Sequence, residues 1–170
     1  MKDEVVRFYK SPIGLIRITS NEKNVTSLYF VDDEQKFEQK AVKKNTPQIL
    51  KECLDQIDGY FKGKRQDFSL KLELEGTNFQ KIVWKELIHV PFGKTCSYLD
   101  IARKIGNING TRAVGSANGK NPISIIVPCH RVIGSNNKLT GYGGGVWRKK
   151  WLLEHEQKVL WNLKYGIKAT

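Results

Sequence analysis

A proline that interrupts an apolar run is the feature that most constrains how this chain folds. Residues 123–127 read ISIIV, which predicts a buried strand, and Pro128 follows directly. Proline has no amide hydrogen and cannot continue a central strand, so the strand must end there. Cys129 and His130 are therefore expected on a turn, where both side chains can face one pocket instead of opposite faces of a sheet.

Cys129 has the neighbours that a reactive thiol needs. A cysteine attacks as the thiolate, and a nearby imidazole or positive charge lowers the thiol pKa from its usual value of about 8.5. His130 and Arg131 supply both candidates. A cysteine among apolar residues is more often a core residue, but these polar neighbours favour the nucleophile. Glu154 or Glu156 can orient His130 in a Cys-His-Glu relay, and the residues themselves leave both open.

The charges divide the chain into two unequal halves. Residues 1–76 carry 14 Lys and Arg against 13 Asp and Glu, whereas residues 77–170 carry 15 against 4, so the net charge of +12 lies almost wholly in the second half. A basic half beside a nearly neutral one is typical of a polyanion-binding domain, because Lys and Arg that neutralise phosphates release counterions. Solubility is the alternative explanation of the charge.

The first half predicts a small α/β domain over residues 1–76, with a junction at Gly76-Thr77-Asn78. A helical period with a proline near its start predicts a helix over 47–61, and its apolar face includes Cys53 as a packed core thiol. β-branched and aromatic runs predict an antiparallel sheet. The expected strands cover residues 5–9, 15–19 and 25–31, with another at 68–74.

The second half, residues 77–170, is predicted to be mostly helical. Helices are expected at 79–88, with Thr77 or Asn78 as the cap, and at 97–105, 110–119 and 146–158. The face of the first helix that is expected to be buried contains Phe79, Ile82, Val83, Leu87 and Ile88. The two short helices joined by a Gly/Asn turn predict a helix-turn-helix.

The third of these segments reads GTRAVGSANG and is a poor helix by intrinsic propensity. Small side chains let a backbone approach another surface closely, and a duplex minor groove of roughly 6 Å would exclude a helix covered with long side chains. Arg112 is the long cationic side chain of this run. A tight contact between helices, with Arg112 solvated, explains the same residues equally well.

Other features predict neither a metal nor a membrane span. The three cysteines are an odd number and, with the three histidines, form no disulfide framework and no metal-ligand spacing. No apolar stretch approaches the ~20 residues of a membrane span, and the start has no signal-peptide pattern. We therefore expect reduced thiols, no cofactor, and a cytoplasmic protein, or a nuclear one if its host has a nucleus.

The motifs of the second half resemble those of a known family. The run NPISIIVPCHRVIG is preceded by SYLDIARKIG and GTRAVGSANGKNP and followed by TGYGGGVWRKKWLLEHE. These segments resemble the methylated-DNA–protein-cysteine methyltransferases, the O6-alkylguanine-DNA alkyltransferases, over about residues 77–158. The resemblance implies an α/β (α+β) fold: a small N-terminal ribonuclease-H-like α/β domain, then a mostly helical C-terminal domain with a winged-helix-like helix-turn-helix.

The resemblance implies DNA repair by direct reversal, with one irreversible transfer of an alkyl group from O6 of guanine to Cys129. O4 of alkylated thymine is a further candidate substrate. His130 resembles the base that acts on the thiol through a water, and Glu156 the carboxylate that orients its ring, which decides between the two glutamates. Tyr98 resembles the residue that gives a proton or hydrogen bond to the departing guanine.

Further residues carried over from the family concern DNA and the pocket. Arg112 resembles the finger that fills the gap left by a flipped nucleotide, and Asn121 the hinge that braces the helix-turn-helix against the cysteine turn. The implied DNA-binding residues are Arg112, Ala113, Gly115, Ser116 and Tyr98. The implied pocket and hinge residues are Asn121, Val132, Tyr142, Gly143 and Gly144. The expected partner is double-stranded DNA, bound through its minor groove by a monomer with the alkylated base flipped out.

Three departures from the family bear on this transfer. Gly143 stands where other members carry a hydroxyl residue, Asn118 where some carry a methionine, and residues 1–52 have no Cys or His for the zinc site of some members. Three rival functions also exist. A binding-only relative would lack the acceptor cysteine, a helix-turn-helix regulator would need a further sensor or effector domain, and a Cys-His hydrolase would turn over many times.

Overall fold

The computed structural model describes residues 4–32 and 45–168, which form two compact units, Met1–Leu74 and Glu75–Thr170. Within the described residues, the first unit is a three-stranded sheet with one helix, and the second is mostly helical. The predicted α+β class, with a small sheet domain before a helical domain, is therefore confirmed. The predicted boundary after residue 76 falls two residues from the division between the units.

The first unit is an antiparallel meander that packs on one helix. The strands are β1 (Val5–Ser11), β2 (Gly14–Ser20) and β3 (Val25–Val31), in the order β1-β2-β3. The helix α1 (Gln48–Phe61) follows Pro47, as the sequence predicts. Alternating strand residues and one face of α1 form the core. Its fully buried members include Ile16, Ile18, Leu28, Leu50, Cys53, Ile57 and Tyr60.

The predicted strand at 68–74 is wrong. This segment meets β3 only around Val25, whose N–H donates to the Lys71 carbonyl and whose carbonyl accepts from Glu73 N–H, both at 2.9 Å. Its first residues are held by α1 instead, because Gln56 Oε1 accepts from Ser69 N–H at 2.9 Å. A segment that is hydrogen-bonded to a helix at its start and pairs with the sheet at one position cannot extend the ladder of strands.

The second unit contains four helices and one short parallel pair of strands among its described residues. The helices are α2 (Asn78–Leu87), α3 (Tyr98–Lys104), α4 (Thr111–Gly119) and α5 (Val146–Tyr165). The strands β4 (Cys96–Ser97) and β5 (Val132–Ile133) pair in parallel and were not predicted. This pair lies directly before α3 and directly after the Cys129 segment, so it joins two parts of the site that are far apart in sequence.

The starts of two helices follow from capping boxes. The Thr77 side chain accepts from Gln80 N–H while the Gln80 side chain accepts from Thr77 N–H, which settles the cap of α2 in favour of Thr77. Ser97 and Asp100 form the same reciprocal pair at α3. α3 and α4 pack together across a one-turn 3-10 helix at Ile108–Gly110, as expected for a helix-turn-helix.

One predicted helix face is partly wrong. Ile82 and Ile88 are about half exposed, at 51% and 46%, while Val83, Trp84 and Leu87 are buried. Positions 83, 84 and 87 share one side of a helix, and position 82 points away from it. Trp84 belongs to the core because its indole N–H donates to the Ala117 carbonyl at 2.7 Å and so ties α2 to α4.

No helix within residues 4–32 and 45–168 is long and apolar enough to cross a membrane.

Candidate active site around Cys129

The apolar run before Cys129 forms a tight turn, and the predicted strand at 123–127 is wrong. Val127 N–H donates to the Ile123 carbonyl at 3.0 Å, and Ile126 N–H donates to the Ser124 carbonyl at 2.8 Å. Ile125 has φ of 71°, in the left-handed region that a β-branched residue rarely adopts. Such strain costs on the order of 1–3 kcal/mol and persists only where surrounding contacts enforce it.

Asn121 supplies contacts that enforce this turn. Its Oδ1 accepts from Ile123 N–H at 3.0 Å, and its Nδ2 donates to the Val127 carbonyl at 2.8 Å. Pro128 then ends the turn, and Cys129–Arg131 form one turn of 3-10 helix. The expectation that proline places Cys129 and His130 on a turn is therefore confirmed, although the segment before it is not a strand.

His130 and Glu156 of the predicted relay are in contact, and Cys129 directly precedes His130 in the chain. Cys129 is 4% exposed, and His130 and Glu156 are 0% exposed. His130 Nε2 lies 2.7 Å from Glu156 Oε1, whereas Glu154 is exposed. His130 Nδ1 is buried and has no hydrogen-bond partner in the described part of the chain. One ring nitrogen is thus fixed by the carboxylate, which leaves the other able to exchange a proton.

Arg131 and Gly93 also hold Glu156, in addition to His130. Arg131 Nε lies 3.2 and 3.1 Å from its two oxygens, Arg131 Nη2 lies 3.0 Å from Oε1, and Gly93 N–H donates to Oε2 at 2.8 Å. Burial opposes ionisation of Glu156, but the hydrogen bonds and charges of His130 and Arg131 outweigh it and lower its pKa to about 2. The carboxylate is therefore ionised at any physiological pH.

Arg131 does not supply the positive charge that was expected beside the thiol. Its guanidinium binds Glu156 and donates from Nη1 to the Val90 carbonyl at 2.7 Å. The cation that acts on Cys129 is Lys149, which the sequence reading missed. Lys149 lies in the run WRKKW at the start of α5, and a run of cations on a helix ordinarily indicates a solvated face.

Lys149 is completely buried. Its Nζ donates to the carbonyls of Val132 at 2.5 Å and Thr140 at 2.9 Å, and it lies 5.8 Å from the centre of the Tyr98 ring. Burial lowers the pKa of Lys149 to about 8, and the charge of a Cys129 thiolate opposes that shift. Burying an ammonium is costly when, as among residues 4–32 and 45–168, its hydrogen-bond partners are two neutral carbonyls. The site thus keeps a positive charge that acts on the sulfur despite this cost.

Burial keeps the reactive pair neutral in this structure. It raises the pKa of the Cys129 thiol, while the Asn121 side chain and the charge of Lys149 lower it. Burial also lowers the pKa of His130, against the opposing effect of Glu156. A neutral imidazole can accept a proton and a neutral thiol can give one, so the pair suits a proton transfer that accompanies attack by sulfur.

Tyr98, the first residue of α3, contacts both Lys149 and α4. Its hydroxyl donates to the Thr140 carbonyl at 3.2 Å, the same carbonyl that Lys149 binds. A Cβ built on Gly115 of α4 would lie 3.8 Å from the Tyr98 ring, in ordinary contact. The first residue of α3 therefore packs against α4 and also contacts the loop that precedes α5.

The predicted pocket residues lie on that loop and on β5. Val132 is fully buried, and Tyr142 is 8% exposed. Burial raises the pKa of Tyr142 well above its usual value, and a charge on Cys129 raises it further, which marks Tyr142 as a near neighbour of the sulfur. Gly143 approaches the end of α4, since a Cβ there would lie 3.8 Å from the Gly119 carbonyl. The Gly144 carbonyl accepts from Arg148 Nη1 at 2.8 Å.

Four of the five predicted DNA-binding residues lie on the outer side of α4, and the fifth, Tyr98, begins α3. Arg112, Ala113 and Ser116 are exposed and Gly115 is half-buried, whereas Val114, Ala117 and Asn118 are buried. Groups of three or more His, Cys, Asp or Glu that could hold a metal ion are not found within 4–32 and 45–168. A buried cysteine beside a His-Glu pair, bonded to a helix of small residues with an exposed outer side, suits a protein that transfers a group to one cysteine from a large substrate.

Comparisons with known proteins give the family. The model of the 6-O-methylguanine DNA methyltransferase DNA-binding domain matches residues 78–158, and the model of the ribonuclease-like domain of the same family matches residues 5–74. The methylated-DNA–protein-cysteine methyltransferase of Methanosarcina barkeri is 46% identical over 151 residues, which cover 89% of this chain and 96% of that protein.

Solved structures agree with the sequence matches. The crystal structure of the Mycobacterium tuberculosis O6-methylguanine methyltransferase has a TM-score of 0.79 at 45% identity, over 91% of this chain and 93% of that one. A structure of the protein from that organism in complex with DNA has a TM-score of 0.80 at 44% identity, with the same coverage. This chain belongs to the O6-methylguanine DNA methyltransferase family. It binds DNA and repairs it by direct reversal, through transfer of an alkyl group to a cysteine of the protein.

Proposed function

We propose that Cys129 is the acceptor of the alkyl group, which leaves O6 of guanine in duplex DNA. One observation carries the assignment: of the three cysteines, Cys129 is the one whose thiol pKa is lowered by a buried lysine, and it directly precedes His130 of the buried His-Glu pair. Cys53 lies in the core of the first unit, where burial raises its pKa to about 12, and burial raises the pKa of Cys96 to about 11. Cys53 has no charged group among the causes of its shift, and the lysine that lowers the pKa of Cys96 is the exposed Lys104.

The proposed reaction is a single displacement at the alkyl carbon. The Cys129 proton passes through a water to His130 Nδ1, while Glu156 stabilises the resulting imidazolium through Nε2. The sulfur forms a bond to the alkyl carbon as the bond from that carbon to O6 breaks, and the guanine receives a proton or hydrogen bond from Tyr98. A thioether has no activated bond left to hydrolyse, so each molecule acts once.

Lys149 is proposed to assist the same step. Its positive charge favours the thiolate over the thiol, and its bond to the Thr140 carbonyl places that carbonyl where the Tyr98 hydroxyl also binds. The lysine therefore connects the acceptor sulfur with the residue that handles the leaving group. Asn121 and Val132 are proposed to fix the cysteine turn, and Tyr142, Gly143 and Gly144 to surround the base.

The base must leave the duplex to reach the sulfur. Cys129 is 4% exposed, and an alkyl carbon within a stacked duplex is out of reach of any buried side chain. We propose that α4 enters the minor groove, where its small residues Ala113, Gly115 and Ser116 allow close approach, and that Arg112 fills the gap left by the flipped nucleotide. Unstacking costs a few kcal/mol, which contacts of this kind can offset.

Several coarser expectations accompany this proposal. The protein is proposed to act as a monomer, with residues 1–76 and 77–170 as separate domains and without a metal or cofactor. The genome is its substrate, so its proposed compartment is the cytoplasm, or the nucleus in a host that has one. O4-alkylthymine is proposed as a second substrate, because it presents a similar exocyclic alkyl ether.

The test is the mass of the intact protein after incubation with a duplex that contains O6-methylguanine. We expect one addition of about 14 Da, equivalent to one methylene, on the wild type and on Cys53→Ser and Cys96→Ser. Cys129→Ser should show no addition. Tight binding to the lesion with an unchanged wild-type mass would indicate a binding-only protein, and repeated turnover without modification would indicate a hydrolase. Either result would refute the proposal.

A further inference from the structure

A second asparagine, in addition to Asn121, connects α4 to the cysteine turn. Asn118 is the eighth residue of the nine in α4 and is 2% exposed. Its Nδ2 donates to the Cys129 carbonyl at 3.3 Å, and both groups are buried. The helix that carries the exposed Arg112 and Ser116 is thus bonded through a side chain to the main chain of the proposed acceptor.

The other end of this side chain makes the asparagine costly. Asn118 Oδ1 is buried and has no hydrogen-bond partner among residues 4–32 and 45–168. A buried acceptor without a partner loses its hydration and gains nothing in return. Leucine has the same branching and the same number of side-chain heavy atoms and would avoid that cost, so packing alone does not account for an asparagine at this position.

The bond from Asn118 restrains the orientation of the Cys129 peptide. The Cys129 carbonyl also accepts from Val132 N–H, which closes the 3-10 turn, so it is held from two directions. Asn121 holds the preceding carbonyl of Val127, to which Cys129 N–H donates at 2.8 Å. Both peptide groups of the cysteine are therefore anchored to α4 or to the residues that directly follow it.

We propose that Asn118 is a positioning residue for the acceptor thiol, which it holds in register with the DNA-binding helix. The inference rests on the proposed role of Cys129. Rotation of the Cys129 peptide would move the sulfur relative to His130 and to the alkyl carbon. Displacement at carbon requires alignment of the attacking and leaving atoms, and an error of about 1 Å can lower a rate on the order of 100-fold.

The variant Asn118→Leu tests whether Asn118 affects the position of the thiol or the stability of the protein. Single-turnover kinetics with a saturating O6-methylguanine duplex give the rate constant of transfer, titration with unmodified duplex gives the Kd, and thermal unfolding gives the Tm. We expect the rate constant to fall about 10-fold, within the range for a misplaced reacting group. The Kd should change less than about twofold, and the Tm should change little, because loss of the orphaned acceptor offsets the cost of fitting the larger leucine.

Two further variants keep the test sharp. Asn118→Ala removes the same bond with a smaller side chain and should react as slowly as Asn118→Leu, even though its Tm falls. Val114→Ala opens a cavity at another buried position of α4, so its Tm should fall while its rate constant stays near that of the wild type. If the rate constants of all three variants instead fall in proportion to their Tm values, the inference is overturned.

The outcome also separates this inference from the proposed function. If wild-type Cys129 takes no alkyl group, the proposed function fails and the positioning role fails with it. If the wild type reacts and both Asn118 variants react within about twofold of its rate, the positioning role alone is wrong. A slow Asn118→Leu variant with an unchanged Tm and Kd supports both.

Discussion

The two units of this chain bury different kinds of side chain. Among its described residues, 4–32 and 45–74, the core of the first unit is apolar, and the buried polar residues, such as Gln56, Thr19 and Ser20, are neutral. The second unit buries His130, Arg131, Arg148, Lys149 and Glu156. Buried charges rarely add stability compared with apolar residues of similar volume, because the cost of desolvation offsets their attraction. The concentration of charges in one unit therefore indicates where the chemistry takes place.

The largest expected effect comes from removing the centre of the charged group. Glu156→Gln leaves Arg131 buried without its carboxylate, which should cost about 3–5 kcal/mol in the free energy of unfolding. Urea denaturation measures it. Glu154→Gln, on the same helix but exposed, is the matched control and should change stability by less than about 0.5 kcal/mol. Similar losses in both variants would mean that the buried network is not what stabilises this unit.

Acid provides a second measure of the same carboxylate. Its pKa in the folded protein, about 2, is below the ordinary value, so it contributes stability that is complete above about pH 5 and is lost as the pH falls toward 2. Stability of the wild type should therefore fall across this window. The Gln variant cannot titrate at this position, so its stability should depend less on pH there, and an equally steep dependence in both proteins would contradict the assignment.

The next effect concerns the rate of alkyl transfer. Lys149→Met removes a positive charge near Cys129, which should raise the pKa of the thiol and lower the rate near neutral pH about 10-fold. Transfer should rise with pH toward a midpoint that lies higher in the variant. Lys62→Met, in the first unit, is the control and should leave the profile unchanged. A rate loss without any shift of the midpoint would assign Lys149 a packing role.

The smallest effect is expected from the exposed finger. Arg112→Ala should slow repair of a duplex several-fold, up to about 10-fold, but should leave reaction with a free O6-alkylguanine base nearly unchanged, because extrusion is needed only for the duplex. The ratio of the two rate constants is the measurement. Lys64→Ala, at an exposed position of the first unit, should change neither. Equal losses on both substrates would show that Arg112 acts on the pocket instead.

Local signals account for most of the elements that the sequence predicted. The three strands, α1 and the short helices carry their period, their caps and their turn residues within about ten positions of sequence, and these signals remain valid whatever the rest of the chain does. The strand prediction at 68–74 failed because the segment alternates as a strand does but pairs with β3 only around Val25. The strand prediction at 123–127 failed because hydrogen bonds from the Asn121 side chain hold these residues in a turn, against the strand preference of ISIIV.

The same distinction applies to the site. Pro128 and the residues that follow it predicted the turn that carries Cys129, and the resemblance selected Glu156 over Glu154. Lys149 and Asn118 were not predicted to act on Cys129. A lysine between Arg148 and Lys150 is indistinguishable from a solvated one until the fold closes over it, and the hydrogen bond from Asn118 depends on how α4 packs against the turn.

The sequence by itself therefore determined the order of the α-helices and of the first three strands, the cysteine turn and, through its motifs, the family. Only the tertiary structure decided which charges are buried, which of them acts on the sulfur, and which side chains anchor the Cys129 peptide. The physical reason is range. Proline, capping residues and helical periods act between neighbours in the chain, whereas desolvation and the partners of a buried charge depend on residues that only folding brings together.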